Sequence, residues 1–249
     1  MAVAVDFVIP VLNEENVLAD ATTVLHQYLS SNLDQFSWRI IIADNGSTDS
    51  TLPIAKNLAQ KYDAVGYVRL EKRGRGRALC RAWMDSDADV MAYMDVDLST
   101  ELSAIPEMLD AIKRERYDMA VGCRLKKGSS VTGRPLKREI TSRAYNFLIK
   151  GMFLTPIKDH QCGFKAISRK AARELLPLVR DTGWFFDSEL LILAWKNGYR
   201  IREIPVNWKD DPDSRVRIIN TAWGDLKGLM RLRFGGLGKV SKLLADEVD

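Results

Sequence analysis

The chain has 249 residues, of which 46% are hydrophobic and 28% charged, so it is long and apolar enough to bury a sizeable core. It contains no apolar run of about 18 residues, and its first apolar run breaks at Pro10, so we expect neither a transmembrane helix nor a signal peptide. Its three widely spaced cysteines exclude a disulfide framework and a cysteine zinc site, and they fit reduced thiols in a cytoplasmic protein.

The first half of the chain alternates short apolar runs with helical patterns. We predict strands at residues 5–11, 38–43, 65–70 and 90–94, and helices at 15–29, 51–62 and about 77–86. This alternation predicts an α/β fold in which a Rossmann-like, mostly parallel sheet is flanked by helices on both faces.

The second half is less regular. We predict helices at residues 102–116, 136–153, 169–177 and 188–197, and strands at 119–122, 163–167 and 201–206. A polar loop at 209–217 precedes a last helix at 218–232. We therefore predict one catalytic domain at residues 1–217 and a C-terminal amphipathic extension at 218–249.

Charge is distributed unevenly along the chain. Residues 1–70 are mainly acidic, whereas residues 124–150 are strongly basic and contain a single acid, Glu139. Such a basic segment suits phosphates, an anionic membrane surface or nucleic acid, and a solvated basic face is the plainer alternative.

Polar residues follow the predicted strands at the points where those strands end. Asn13 and Glu14 follow the first strand, Asp44 the second, and Asp95 and Asp97 the fourth. Ligands of open α/β sheets bind at the carboxyl ends of strands. Two carboxylates separated by one apolar residue suit Mg²⁺ or Mn²⁺, which bridge diphosphate oxygens.

Two turns carry further signals. Asp44-Asn45-Gly46-Ser47-Thr48-Asp49 offers a strand-end acid for a ribose or base, followed by a helix cap. Arg73-Gly74-Arg75-Gly76-Arg77 offers flexible backbone and guanidinium groups that suit phosphate, or it is simply a basic turn.

In combination these motifs resemble the family 2 glycosyltransferases, which have the GT-A fold. The segments that carry the resemblance are Pro10-Val11-Leu12-Asn13-Glu14, Asp44–Asp49, Arg73-Gly74-Arg75-Gly76 and Asp95-Val96-Asp97. Downstream, Gln161-Cys162-Gly163-Phe164-Lys165 and residues 184–191 are similar to polyprenyl- and dolichyl-phosphate sugar synthases of the glucosyl or mannosyl type. The resemblance covers about residues 5–217.

The resemblance implies a donor site and a metal site. The residues that it assigns to the nucleotide sugar are Pro10, Val11, Asn13, Glu14, Asp44, Arg77, Asp95 and Val96. Asp95 and Asp97 would bind the metal. Ser99 stands where some relatives have Gln as a further ligand, so either Ser99 or water would complete the set.

The resemblance also implies an acceptor site. Arg124 and Arg138 would hold phosphate and developing charge as catalytic residues, and Ser142, Gln161 and Arg215 would bind the substrate. Asp187 is the candidate for a general base if one is used, with orientation of an acceptor loop as the alternative role.

The C-terminal helix is predicted to lie on a membrane surface. Its apolar stripe consists of Ile218, Ile219, Ala222, Trp223, Leu226, Leu229 and Met230. Lys227, Arg231 and Arg233 add positive charge, which suits the headgroup boundary. Packing of this stripe on the catalytic domain, a membrane subunit or a second copy is the alternative.

The sequence thus predicts an inverting, metal-dependent enzyme that moves a sugar from a UDP- or GDP-linked donor to a polyprenyl or dolichyl phosphate. It would be cytoplasmic and peripherally bound to the cytoplasmic membrane face. One alternative is transfer to a saccharide acceptor in polysaccharide assembly. A nucleic-acid-binding protein that uses residues 124–150 is the alternative from another class, and it leaves the acidic strand ends unexplained.

Overall fold

The structure is a computed structural model that describes residues 2–210 and 218–239. The described strands are β1 Val3–Val11, β2 Phe36–Asp44, β3 Val65–Arg69, β4 Val90–Met94, β5 Met119–Cys123, β6 Ser130–Thr132, β7 Phe164–Ser168, β8 Ile201–Pro205 and β9 Asn207–Lys209. The described helices are α1 Leu18–Asn32, α2 Thr51–Lys61, α3 Arg75–Met84, α4 Ile105–Lys113, α5 Leu136–Phe153, α6 Arg169–Leu175, α7 Phe186–Lys196 and α8 Ile218–Phe234.

Seven strands form one sheet in the order β3-β2-β1-β4-β7-β5-β8. Only β7 runs antiparallel to its neighbours, β4 and β5, while the other pairs within this sheet are parallel. The predicted α/β class with a mostly parallel sheet is therefore confirmed. Because β7 is reversed, its first residue lies at the edge where the parallel strands end, and the Gln161–Lys165 motif falls at that edge.

The sheet is covered on both faces, as the alternation of the strands predicts. In β1, Phe7 and Ile9 pack in the core shared with α1, α2 and α4, whereas Val8 packs in the core shared with α3 and α5–α8. Successive strand residues point to opposite faces, so a strand such as this one, which is apolar except for the paired Asp6, is buried on both sides.

Several predicted boundaries differ from the structure. The predicted helix at 102–116 is a 3-10 turn, Leu102–Ala104, followed by α4, and the predicted helix at 15–29 begins only at Leu18. Strands β6 and β9 were not predicted, because three polar or mixed residues carry too little periodicity. Most of the predicted loop at 209–217 lies outside the described residues.

The C-terminal helix α8 is present, but its predicted apolar stripe is divided. Leu229 is buried in the core, whereas Trp223, Leu226 and Met230 are exposed. The side chains of residues 218–222 lie outside the described part of the chain. The domain boundary at 217 stays a prediction. No helix among the described residues is long and apolar enough to cross a membrane.

Candidate active site

The loop after β1 is tied to the turn after β2 by hydrogen bonds. Asn13 has a left-handed backbone, with a φ of 56°, and its N–H donates to Ser47 Oγ at 2.9 Å. In return the Thr48 N–H donates to Asn13 Oδ1 at 2.8 Å, and the Glu14 N–H donates to Thr51 Oγ1 at 2.8 Å. Two predicted nucleotide-binding residues, Asn13 and Glu14, are thus fixed beside the end of β2.

Asp44 ends β2 and is fully buried. It stands opposite Val11 in the β1–β2 ladder, one position beyond the pair formed by Pro10 and Ala43. Its Oδ1 accepts a hydrogen bond from the Ser47 N–H at 2.9 Å, and its Oδ2 accepts one from Arg69 Nη1 at 2.5 Å. Asp44 therefore holds the turn in this conformation. The predicted contact between Asp44 and a nucleotide requires the Arg69 guanidinium to move.

The turn at residues 73–77 packs against another part of the chain. The Gly74 N–H donates to Asn45 Oδ1 at 2.6 Å. A Cβ on Gly74 would lie 2.5 Å from Thr182 O, and one on Gly76 would lie 2.6 Å from the Cβ of Phe186. Both glycines thus make room for the 182–186 segment, a use that the motif did not predict.

The predicted metal residues form a tight turn after β4. The Leu98 N–H donates to Asp95 O at 3.1 Å, and the Ser99 N–H donates to Asp97 Oδ1 at 2.9 Å. Val96 packs against the core, and Leu98 adopts a left-handed φ of 48°. A left-handed leucine is unfavourable and is kept only where the surroundings enforce it, as at ligand sites.

The Asp95 carboxylate occupies space that a glycine leaves free. A Cβ on Gly163 would lie 1.7 Å from Asp95 Oδ2, so only glycine leaves room for this side chain. No group of three or more His, Cys, Asp or Glu side chains is arranged as metal ligands in the described ranges. Asp95 and Asp97 would therefore share a Mg²⁺ or Mn²⁺ with the buried Ser99, water or diphosphate oxygens, which is usual for Mg²⁺.

Arg75 links the two halves of the site. Its Nη2 donates to Asp95 Oδ1 at 2.6 Å, and its Nη1 donates to Asp187 Oδ2 at 2.5 Å. The guanidinium carbon lies 5.0 Å from the centroid of the Tyr93 ring and 5.2 Å from that of Trp184. Asp95 and Asp187, which are far apart in sequence, are thereby joined by one buried cation.

Asp187 is a buried carboxylate surrounded by donors. Lys165 Nζ lies 2.9 Å from its Oδ1, and the Tyr93 hydroxyl also donates to that oxygen. Burial opposes the charge, but Lys165 and Arg75 outweigh it and hold the pKa of Asp187 below its usual value. A carboxylate held ionised in this way is a weak base, so the arrangement favours the orienting role.

The predicted phosphate-binding arginines are paired with carboxylates. Arg124 is buried and forms a two-point bond with Asp159, with its Nε and Nη2 donating at 2.7 and 2.9 Å. Arg138 Nη1 donates to Asp210 Oδ2 at 3.0 Å. In this conformation Arg124 is closed to an acceptor. Ser142 Oγ is buried and has no hydrogen-bond partner, so its hydrogen-bonding capacity is unused.

The remaining predicted residues are spread more widely. The Arg77 N–H donates to Thr182 O at 3.2 Å, which ties the basic turn to the 182–186 segment. Gln161 Nε2 donates to Asp225 Oδ2 on α8 at 3.3 Å. Arg215 lies outside the described residues.

Sequence reasoning missed the roles of Tyr93 and Lys165 and the special position of Arg75. In the sequence, Tyr93 is one of several apolar residues of a strand, and Lys165 is the last residue of a motif. The structure buries Lys165 completely, and its Nζ donates to Cys162 O at 2.5 Å. A lysine predicted within a buried strand was the available signal, because an ammonium is rarely buried without a partner.

Comparison with known proteins agrees with these features. Residues 6–176 match the model of glycosyl transferase family 2. The glycosyltransferase AglD of Haloferax volcanii is 36% identical over 223 residues, which are 89% of this chain and 36% of that protein. A dolichyl-phosphate beta-glucosyltransferase of Dictyostelium discoideum is 30% identical over 240 residues, covering 91% of this chain and 73% of that protein.

Among solved structures, glucosyl-3-phosphoglycerate synthase from Mycobacterium tuberculosis in complex with UDP has a similar fold. The TM-score is 0.70 at 19% identity, and the match covers 93% of this chain and 80% of that one. The same synthase in complex with Mn²⁺, UDP and glucosyl-3-phosphoglycerate gives a TM-score of 0.69 at 17% identity, over 93% of this chain and 80% of that one.

Proposed function

This chain belongs to glycosyl transferase family 2, and on that premise we propose that it moves a sugar from a nucleotide-sugar donor to a polyprenyl or dolichyl phosphate. The observation that supports the proposal is the contact between Asp95 and the Gln161–Lys165 motif. The Asp95 N–H donates to Gly163 O at 3.2 Å, and only glycine leaves room for the Asp95 carboxylate. The donor-side acid and the motif shared with lipid-phosphate sugar synthases are therefore parts of one site.

UDP-glucose is the first donor to test. The relative from Dictyostelium discoideum is named for glucose transfer, and the synthase with the similar fold was solved with UDP. This chain spans only about a third of the archaeal relative's length, so the activity of that whole protein does not carry over. A GDP-linked donor is the competing choice.

Asp95 and Asp97 would hold the Mg²⁺ or Mn²⁺. When bound, the metal would neutralise charge on the leaving nucleoside diphosphate. Asp97 is exposed, while Asp95 is kept in one position by Arg75 and by the space at Gly163. One fixed and one exposed carboxylate suit a metal that also binds ligand oxygens and water.

The acceptor phosphate would attack the anomeric carbon from the side opposite the leaving group and so invert its configuration. A phosphate monoester is already largely anionic at neutral pH, so it needs cationic donors more than it needs a base. The environment of Asp187 supports this, because the carboxylate is engaged by Lys165 and Arg75.

A lipid acceptor requires the enzyme to reach a bilayer, and two helices offer a surface for it. On α5, Leu136, Ile140 and Phe147 are exposed at helical spacing, with Phe147 79% exposed, and Leu154, the residue directly after α5, is exposed as well. On α8, Trp223, Leu226, Met230 and Phe234 are exposed. We define these eight residues as the α5–α8 surface, and we propose that it contacts the membrane at the headgroup boundary.

The test is a transfer assay with a panel of radiolabelled nucleotide sugars, a polyprenyl phosphate, and Mg²⁺ or Mn²⁺. We expect label to enter the organic phase only with the lipid phosphate, and a dephosphorylated polyprenol is the matched control. Transfer to a soluble saccharide, with no label in lipid, would favour the polysaccharide alternative. Salt-sensitive binding to DNA without donor binding would favour the nucleic-acid alternative.

A further inference from the structure

Arg134 is a buried arginine in an exposed stretch of chain. It lies between the end of β6 and the start of α5, where Gly133, Pro135 and Leu136 are all exposed. The side chain of Arg134 is nevertheless only 6% exposed. The Arg134 guanidinium is therefore buried although the residues around it in the chain are exposed to solvent.

Two of the three nitrogens of the buried guanidinium lack hydrogen bonds. A guanidinium has five N–H donors, yet Nε and Nη1 of Arg134 have no hydrogen-bond partner. Nη1 lies 3.1 Å from Glu139 Oε2 as an ion pair, and Glu139 is shared with Arg143, whose Nε donates to Oε1 at 2.5 Å. Buried donors without acceptors destabilise a fold unless a ligand supplies the acceptors.

The surroundings of Arg134 disfavour its charge. Burial lowers the pKa of Arg134 and the charge of Arg124 lowers it further, which together outweigh the opposite effect of nearby carboxylates, those of Glu139, Asp210 and Asp159. Arg124 forms its own ion pair with Asp159, so Asp159 serves Arg124 and not Arg134. The unpartnered Ser142 Oγ lies on the inner side of α5, on the helix that begins two residues after Arg134.

We propose that Arg134 is a ligand for a phosphate monoester dianion, the headgroup of the acceptor, at the start of α5. Phosphate oxygens would supply the acceptors that Nε and Nη1 lack, and the first N–H groups of an 18-residue helix favour an anion at the same end. The assignment of this phosphate to the acceptor rests on the proposed function.

The test compares Arg134→Met and Arg134→Lys with wild type. Methionine removes the two nitrogens that lack hydrogen bonds and keeps an unbranched chain, and Glu139 keeps Arg143 as its partner, so we expect the melting temperature of the ligand-free protein to rise by about 2–4 °C. The KM for polyprenyl phosphate should rise about 10- to 100-fold, and the KM for the nucleotide sugar should stay unchanged. Lysine should restore part of the affinity for polyprenyl phosphate, because it keeps the positive charge but not the planar, two-point donor geometry of a guanidinium.

Arg173→Met is the matched control, because that arginine is exposed on α6 and should change neither quantity. A fall in the melting temperature of Arg134→Met would overturn the proposal, since it would mean that Arg134 is satisfied within the fold. An unchanged acceptor KM, or an equal loss of donor affinity, would also overturn it.

A second measurement does not depend on transfer. Inorganic phosphate at millimolar concentration should raise the melting temperature of wild type and should not raise that of Arg134→Met. Equal shifts in both proteins would overturn the site. If wild type binds phosphate through Arg134 but transfers no sugar to any lipid phosphate, the proposed function fails while this site stands.

Discussion

Asp187→Asn should destabilise the protein strongly, because two buried cations depend on this carboxylate. Lys165 is completely buried and lies 2.9 Å from Asp187 Oδ1, and Arg75, whose side chain is 10% exposed, donates to Oδ2 at 2.5 Å. Asparagine keeps the shape and one acceptor but removes the negative charge. The substitution thus leaves Lys165 without a carboxylate partner.

Breaking a buried ion pair from one side costs about 3–5 kcal/mol of unfolding free energy. For a chain of this size that corresponds to a fall of roughly 6–20 °C in melting temperature. By contrast, Asp85→Asn breaks the exposed Arg81–Asp85 pair at the C-terminal end of α3, and such pairs contribute at most about 1 kcal/mol. Asp85→Asn is therefore the matched control.

The Lys165→Met variant distinguishes an orienting role of Asp187 from a role as general base. If Asp187 orients the site, Lys165→Met and Asp187→Asn should lower kcat by similar factors, and the double variant should be more stable than Asp187→Asn alone. If Asp187 is a general base, only Asp187→Asn should lose about 10²- to 10⁴-fold in kcat. Calorimetry and initial rates measure both.

The pH dependence gives an independent check. The two cations hold the folded pKa of Asp187 below its unfolded value, despite burial, so its contribution is complete above about pH 4 and is lost as pH falls through the folded pKa. The stability gap between wild type and Asp187→Asn should thus be constant near neutral pH and shrink in acid. A variant as stable as wild type at pH 7 would refute the reasoning.

Three further predictions follow from single features. Asp97→Ala should abolish metal-dependent transfer, measured by Mn²⁺ titration, without changing the fold, because Asp97 is exposed. Burial lowers the pKa of His160 to about 3, so its ring signals in NMR should not move between about pH 8 and pH 5, and its protonation in the unfolded state should reduce stability by about 2 kcal/mol between about pH 6.5 and pH 5. Phe147→Asp combined with Phe234→Asp should reduce flotation with anionic liposomes at least about tenfold, because both rings are exposed on the α5–α8 surface.

Each of these has a contrary outcome. Full activity in excess EDTA would remove the metal from the mechanism. A His160 signal that titrates near neutral pH would mean that its ring reaches water. Val24→Asp is the control for flotation, because Val24 is exposed on α1, on the other face of the sheet. If the double variant floats as well as the control, the membrane role of the α5–α8 surface should be dropped.

The fold was largely predictable because local sequence patterns identify most of its strands and helices. Strand β4 is an unbroken apolar run, β1 is apolar except for Asp6, and the helices between them have clear spacing. The reversed direction of β7 was not predictable, since an apolar strand carries no mark of its orientation. That reversal brings Gly163 to Asp95, so the main feature that joins the motifs was not visible in the sequence.

The site was predictable as a set of motifs but not as a set of contacts. Acids at strand ends identified Asp44 and Asp95, yet nothing local indicated that Arg69 would close over Asp44. The pair formed by Arg124 and Asp159 joins residues 35 positions apart. Side-chain pairing of this kind depends on tertiary distance, which periodicity does not encode.

The central charges of the site form one connected system. Asp95 and Asp187 both bond to Arg75, and Asp187 is also held by Lys165, which follows Gly163 in the same motif. Moving Asp187 would therefore release Arg75 and with it the position of Asp95. Asp187 thus influences the position of Asp95 through Arg75, without touching it. Lys165 of the 161–165 motif and Asp95 of the 95–97 pair are therefore linked through Asp187 and Arg75, in a chain where each charge is balanced by the next.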